Sequence, residues 1–163
     1  MSESSNRVSE AERQRLGHLA RLAASELVLL RQTDGRLFAL PLSAAELAAR
    51  CREPEFSERV DAFVARFGRL QDLLGDKWLP AWLRAMQEAP ATVLENLDRA
   101  EKLGILRSAD EWLAVRKLRN LLVHEYLERP EDLHQALQTA HGAVPMLAEV
   151  AQRLGERVQA LLS

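Results

Sequence analysis

Four residues of the segment 119–126 carry side chains suited to chemistry on phosphate esters: Arg119, Asn120, His124 and Tyr126. They supply a fixed cation, an amide, a group that exchanges protons near neutral pH, and a phenol. An arginine can stabilise the charge of a pentavalent phosphorane, and a histidine can move the proton that a phosphoryl-oxygen displacement requires. On a helix at about 100° per residue, Arg119 shares a stripe with Tyr126, about two turns further on, while Asn120 and His124 form a second stripe beside it. Trp112, Val115, Leu122 and Val123 fall within about 60° of Arg119, so the guanidinium points along the apolar stripe. A charge is rarely buried without a partner. Arg119 is therefore either an internal charge paired with one of the many carboxylates, or a group standing where the stripe meets a cleft or a second subunit. On spacing alone the structural role is favoured, because cationic residues commonly end helices, where the dipole favours them.

The elements that must position these residues read as helices. Ser108 and Glu111 form a capping box at the start of the helix that carries the motif. Further boxes at Ser9/Glu12 and Ser43/Glu46 open a helix to about residue 30 and a short one to about Cys51. Thr33-Asp34-Gly35 reads as a turn, and 37–42, interrupted by Pro41, as an extended connector. Pro54 marks a break before a helix over 57–74 that buries Val60, Phe63, Val64, Phe67, Leu70, Leu73 and Leu74 and stops at Gly75. A helix with Trp78, Leu79, Trp82, Leu83 and Met86 follows. Pro90 suits the first turn of the next, which ends at Gly104. Pro130 restarts the chain into a helix ending near Gly142, and a last helix covers 144–162. Residues 1–8 read as a disordered lead. The fold class is all-α, an up-and-down helical bundle with short loops. The 163 residues form a single domain with residues 1–50 a candidate N-terminal extension.

Composition narrows the function. With 47% hydrophobic and 28% charged residues the chain is globular and not disordered. A net charge of −2 lacks the bulk positive charge of a broad nucleic-acid binder, leaving RNA contact to a local patch. The single cysteine, Cys51, excludes an internal disulfide and a cysteine zinc site, and a reducing cytoplasm is the expected setting. No run approaches a membrane span, and the first residues do not form a signal peptide. His18, His134 and His141 are isolated, and His134 and His141, seven apart, lack a further ligand for a metal, so surface or capping roles are expected. Trp78, Trp82 and Trp112 read as core anchors. Arg13, Arg15, Arg21, Arg31 and Arg36 read as a solvated basic face, or alternatively as a partner or RNA contact.

The stretch 119–126, Arg-Asn-Leu-Leu-Val-His-Glu-Tyr, has the R-x4-H-x-Y spacing with an asparagine directly after the arginine. In this it resembles the HEPN superfamily, and specifically its HepT-like toxin branch, whose partner is a minimal nucleotidyltransferase (MNT) antitoxin. The likeness is close over residues 112–133, looser from Phe56 onward, and has no counterpart in the first fifty residues. It implies a HEPN-like bundle that dimerises so that two motifs face one cleft, and a metal-independent ribonuclease that needs no cofactor. By that likeness Arg119 and His124 carry catalysis and Asn120 positions the cleft. The ribose 2′-hydroxyl attacks the adjacent phosphate, leaving a cyclic phosphate and a free 5′-hydroxyl. Tyr126 matches the tyrosine that the partner enzyme modifies with AMP. Other members of the superfamily bind nucleotides or partners without cutting RNA, so a non-catalytic nucleotide- or nucleotidyltransferase-binding module is the alternative.

Overall fold

Ser9 opens the first helix as its spacing from Glu12 requires. Its hydroxyl accepts the Glu12 N–H at 3.2 Å and the Glu12 carboxylate accepts the Ser9 N–H at 2.9 Å. The Ser9 N–H and, after it, the Ser9 hydroxyl hold the Glu12 carboxyl below its ordinary range. The computed structural model describes residues 8–88, 91–124 and 128–163, with His124 described by its backbone alone. The expected disordered lead falls outside the described residues up to position 7, while Val8 packs against the core. Among the described residues there are seven α-helices and no strand: α1 (Glu10–Leu37), α2 (Ala44–Arg50), α3 (Pro54–Asp72), α4 (Leu79–Ala85), α5 (Val93–Lys102), α6 (Ala109–His124) and α7 (Pro130–Leu162). A π-helical turn, Leu73–Trp78, joins α3 to α4 without a break.

Three expected helix ends are not ends. Helix α1 does not stop near residue 30 but runs through Thr33-Asp34-Gly35 to Leu37. Leu30, Thr33 and Leu37 are buried on one face, so the segment gains more from packing than its turn-forming residues lose. The Thr33 hydroxyl is satisfied inside the helix, donating to the Leu29 carbonyl at 3.1 Å and accepting from the Arg66 guanidinium. Gly35 faces open space, where no side chain is needed.

Gly75 does not end the second long helix either. It lies inside the π turn, and the rod continues to Ala85. Pro80 explains the widening. It has no N–H to give to the Asp76 carbonyl, and its ring would clash there in a regular helix. The Leu79 N–H reaches back five residues to the Leu74 carbonyl instead. The rod closes with Gln87 in the left-handed region at φ 61°, and the Glu88 N–H bonds the Leu83 carbonyl at 2.9 Å. Pro54, expected as a break, is the first residue of α3.

Helix α7 passes through Gly142 and Pro145 in one length of 33 residues. Gly costs roughly 1 kcal/mol and Pro roughly 3 kcal/mol inside a helix. The unbroken stripe of Leu137, Ala140, Val144, Leu147, Val150, Leu154 and Val158 offsets this, since each fully buried Leu or Val contributes about 1.5–3 kcal/mol.

The remaining boundaries follow the sequence. Ser43 caps α2 and Ser108 caps α6, each accepting the N–H three residues on at 3.1 Å. Gly104 ends α5 at φ 77°, with the Ile105 N–H on the Ala100 carbonyl at 2.9 Å. Thr92 and Glu95 cap α5 with a full box that the sequence reading passed over in favour of Pro90. Pro90 lies outside the described residues and before the first turn of α5.

Helices pair antiparallel. Arg13 reaches the Leu162 carbonyl at one end of α1 and α7, and Asp34 meets His141 at the other. Leu16, Leu19, Ala23 and Leu30 of α1 join one core with Phe63, Phe67, Trp82, Trp112 and Leu147. No helix among the described residues is long and apolar enough to cross a membrane.

Among the glycines, Gly75 has the closest neighbour, Trp112. A Cβ on Gly75 would stand 3.0 Å from Trp112 Cζ2. Gly75→Ala is expected to lower stability by about 1–3 kcal/mol, the usual cost of overpacking, although alanine is the better helix former. A urea midpoint unchanged or raised in the variant would contradict this account of the joint.

Candidate functional site

Helix α6 lies antiparallel to α3 and the π turn. Trp112 near its start covers Gly75, Arg116 meets Asp76, and Arg119 meets Asp72. Arg119 Nη2 donates to Asp72 Oδ2 at 2.7 Å, and Nη1 donates to Asn120 Oδ1 at 2.9 Å. The side chain is 22% exposed. Its Nε is fully covered, with no partner among the described residues, and lies 3.1 Å from where a Cβ on Gly68 would stand. Of the two origins the sequence allows for this burial, an internal carboxylate is the one present within the chain.

The structure brings Arg119 and Asn120 together through a direct hydrogen bond, with Asn120 otherwise exposed. His124 is the last described residue of α6, about 7.5 Å along the axis from Arg119 at 1.5 Å per residue. Its side chain and the whole of Tyr126 lie outside the described residues. Trp112 and Val115 are buried on the Arg119 side of α6 as the helical spacing requires, whereas Val123 is 43% exposed.

Asp72, Gly68, Asp76 and Arg116 are the members of this constellation that sequence reasoning did not find. Gly68 and Asp72 stand four residues apart on α3, and Gly75 follows on the same side, so this face of the rod offers small residues and carboxylates to α6. That pattern is present in the sequence, but nothing in it says which helix covers the face. Beyond Asp72 and Asp76 a groove of about 390 Å³ opens between α1 and the rod, lined by Leu22, Glu26, Arg69, Leu73 and Lys77 as well.

Of the other singled-out residues, two histidines and the tryptophans have structural partners. His141 Nδ1 lies 2.7 Å from Asp34 Oδ1, and the ring stacks on Phe38 with centroids 4.2 Å apart. His134 Nε2 lies 2.7 Å from the Leu42 carbonyl. Both rings tie α7 to the corner after α1, and His18 is exposed. Trp78, Trp82 and Trp112 are core residues. Burial pushes the Cys51 thiol above its ordinary range and Asp61 adds to this, which disfavours the nucleophilic thiolate. Arg15, Arg21, Arg31 and Arg36 are exposed, and Arg13 donates to the Leu162 carbonyl. Among the described residues no three His, Cys, Asp or Glu side chains converge to hold a metal ion.

The Arg116–Asp76 pair is about one-third exposed on each side and 3.3 Å apart. Such pairs contribute about 0.2–1 kcal/mol. Arg116→Ala and Asp76→Ala are each expected to cost no more than about 1 kcal/mol, with a coupling in the double variant below that figure. Denaturant unfolding of the two singles and the double measures it. A coupling of several kcal/mol would mean that the pair organises the π turn.

No family model, curated protein or solved structure matches the chain.

Proposed function

We propose that this chain is a HepT-like HEPN ribonuclease toxin, acting as a homodimer and silenced by a minimal nucleotidyltransferase. The observation that carries the reading is the arrangement at the end of α6. Arg119 is held by Asp72 and bonded to Asn120, and the helix continues five residues to His124. In this reading Arg119 stabilises the phosphorane. The 2′-oxygen forms its bond to phosphorus as the bond to the 5′-oxygen breaks, and His124 moves the proton from the first oxygen toward the second. The reaction consumes no water and yields a 2′,3′-cyclic phosphate and a 5′-hydroxyl. Val123, exposed, and Leu121 and Leu122, half-buried, form an apolar margin beside the motif that a second copy would cover.

The pairing of both Arg119 Nη groups inside the chain favours a second reading, a non-catalytic module that holds a nucleotide or the nucleotidyltransferase itself through groups other than this guanidinium. A guanidinium already neutralised by a carboxylate is a weaker phosphate ligand until the substrate competes for it.

Purified protein incubated with RNA separates the two. The ribonuclease reading expects cleavage that persists in EDTA and leaves cyclic phosphate ends. It also expects a loss of at least about 100-fold in both Arg119→Ala and His124→Ala with the helical circular dichroism retained. Undiminished cleavage by His124→Ala, or cleavage only with added metal, contradicts it. Absence of cleavage together with nucleotide binding supports the module.

Silencing has its own test. AMP on Tyr126 would bring a negative charge and bulk to the motif, repelling RNA and competing for Arg119. A nucleotidyltransferase of the minimal type, with ATP and Mg²⁺, is expected to add AMP to the wild-type chain but not to Tyr126→Phe, read by intact mass. Addition that survives in Tyr126→Phe places the acceptor elsewhere.

A further inference from the structure

We propose that Asp72 and Gly68 are positioning residues for Arg119, together building a seat on α3 that fixes the plane of the guanidinium; the inference rests on the ribonuclease reading for its kinetic consequence. The three heavy atoms nearest a Cβ on Gly68 all belong to Arg119: Nε at 3.1 Å, Cγ at 3.5 Å and Nη2 at 3.8 Å. The arginine stem therefore lies in the space that any other residue would fill. One helical turn on, Asp72 Oδ2 takes Nη2 at 2.7 Å, and Asn120 Oδ1 takes Nη1 at 2.9 Å. A planar group held at both Nη atoms and covered at Nε cannot turn about its Cδ–Nε or Nε–Cζ bond, and it is rotation about Nε–Cζ that would exchange the two Nη atoms. Each Nη keeps one further N–H, and these two protons face a fixed direction. A guanidinium fixed in this way loses less side-chain freedom when it meets a phosphate, and small misplacements of such a group cost rate steeply.

The carboxylate has an opposite effect on ground-state binding. Asp72 is 39% exposed at the same edge, and its negative charge opposes an incoming phosphate. Removing the charge while keeping the shape should therefore separate binding from turnover. A residue that only held the fold together would move both in the same direction, along with stability.

The test is steady-state RNA cleavage by wild type, Asp72→Asn, Asp72→Glu and Gly68→Ala. Asp72→Asn is expected to lose about 10- to 100-fold in kcat with KM unchanged or lower, and Asp72→Glu to recover part of that loss. Gly68→Ala is expected to lose kcat while its melting temperature holds or rises, because alanine is the better helix former and the three atoms nearest its Cβ all belong to the flexible arginine side chain. Faster turnover in Asp72→Asn would make the pair a latch and overturn the proposal, as would unchanged turnover in both Asp72→Asn and Gly68→Ala. A nitrogen-15 spectrum of the Arg119 guanidinium, assigned by its loss in Arg119→Lys, decides the matter without activity. Separate Nη signals in wild type that merge in Asp72→Asn support the seat. Signals that stay separate in the variant, or that are merged already in wild type, overturn it. Were the wild type inactive on RNA, the ribonuclease reading would fall and this spectrum would still judge the seat.

Discussion

Helix α6 can approach the α3 rod closely because that rod carries no side chain at Gly68 and Gly75. The indole of Trp112 fills the space over Gly75 and the stem of Arg119 fills the space over Gly68. Two large side chains thus occupy the space beside the rod that Cβ atoms at these positions would otherwise take. With the spacing set in this way, the carboxylates of Asp72 and Asp76 fall within reach of Arg119 and Arg116. Both glycines thus shape the surface on which the motif-bearing helix rests.

The π turn belongs to the same constraint. Pro80 prevents a regular ladder at Asp76, and the backbone takes up the difference between Leu73 and Trp78. The widened turn keeps the rod helical from Pro54 to Ala85, so that Gly68, Asp72, Gly75 and Asp76 stay on one rigid element. A break at Gly75 would have divided the seat of Arg119 from the seat of Trp112. The exposed ion pairs around the bundle, such as Arg107–Glu149 at 2.9 Å, are worth little by comparison. Arg107 does hold the Glu149 carboxyl below its ordinary range. Its contribution is therefore present above the ordinary carboxylate range and is lost as pH falls through the lowered value.

For the proposed ribonuclease reading, the consequence is that the cation of the motif would be organised before a substrate arrived. Its charge is shared with Asp72 and its plane is set by α3 and Asn120. Preorganisation of this kind favours stabilisation of developing charge over tight ground-state binding.

The sequence by itself determined what depends on local chemistry. Helical propensity and apolar spacing made the chain all-α. Ser9, Ser43 and Ser108 started helices through side-chain oxygens three residues from the N–H they accept, and Gly104 stopped one by its freedom at positive φ. The partial burial of Arg119 was legible as well, because a fixed angle per residue puts Arg119 on the stripe of Trp112 and Val115. Tertiary structure decided the rest, since a turn residue can be overruled by what packs beside it. Thr33, Gly35, Gly75 and Gly142 each look like a stop, yet each lies on a helix whose neighbouring Leu, Val and Trp side chains are buried. Asp72 as the partner of Arg119 was also beyond local reading. The two residues are 47 positions apart, and only the close approach of α6 over two glycines of the rod brings that carboxylate, among all the acidic residues of the chain, to the guanidinium.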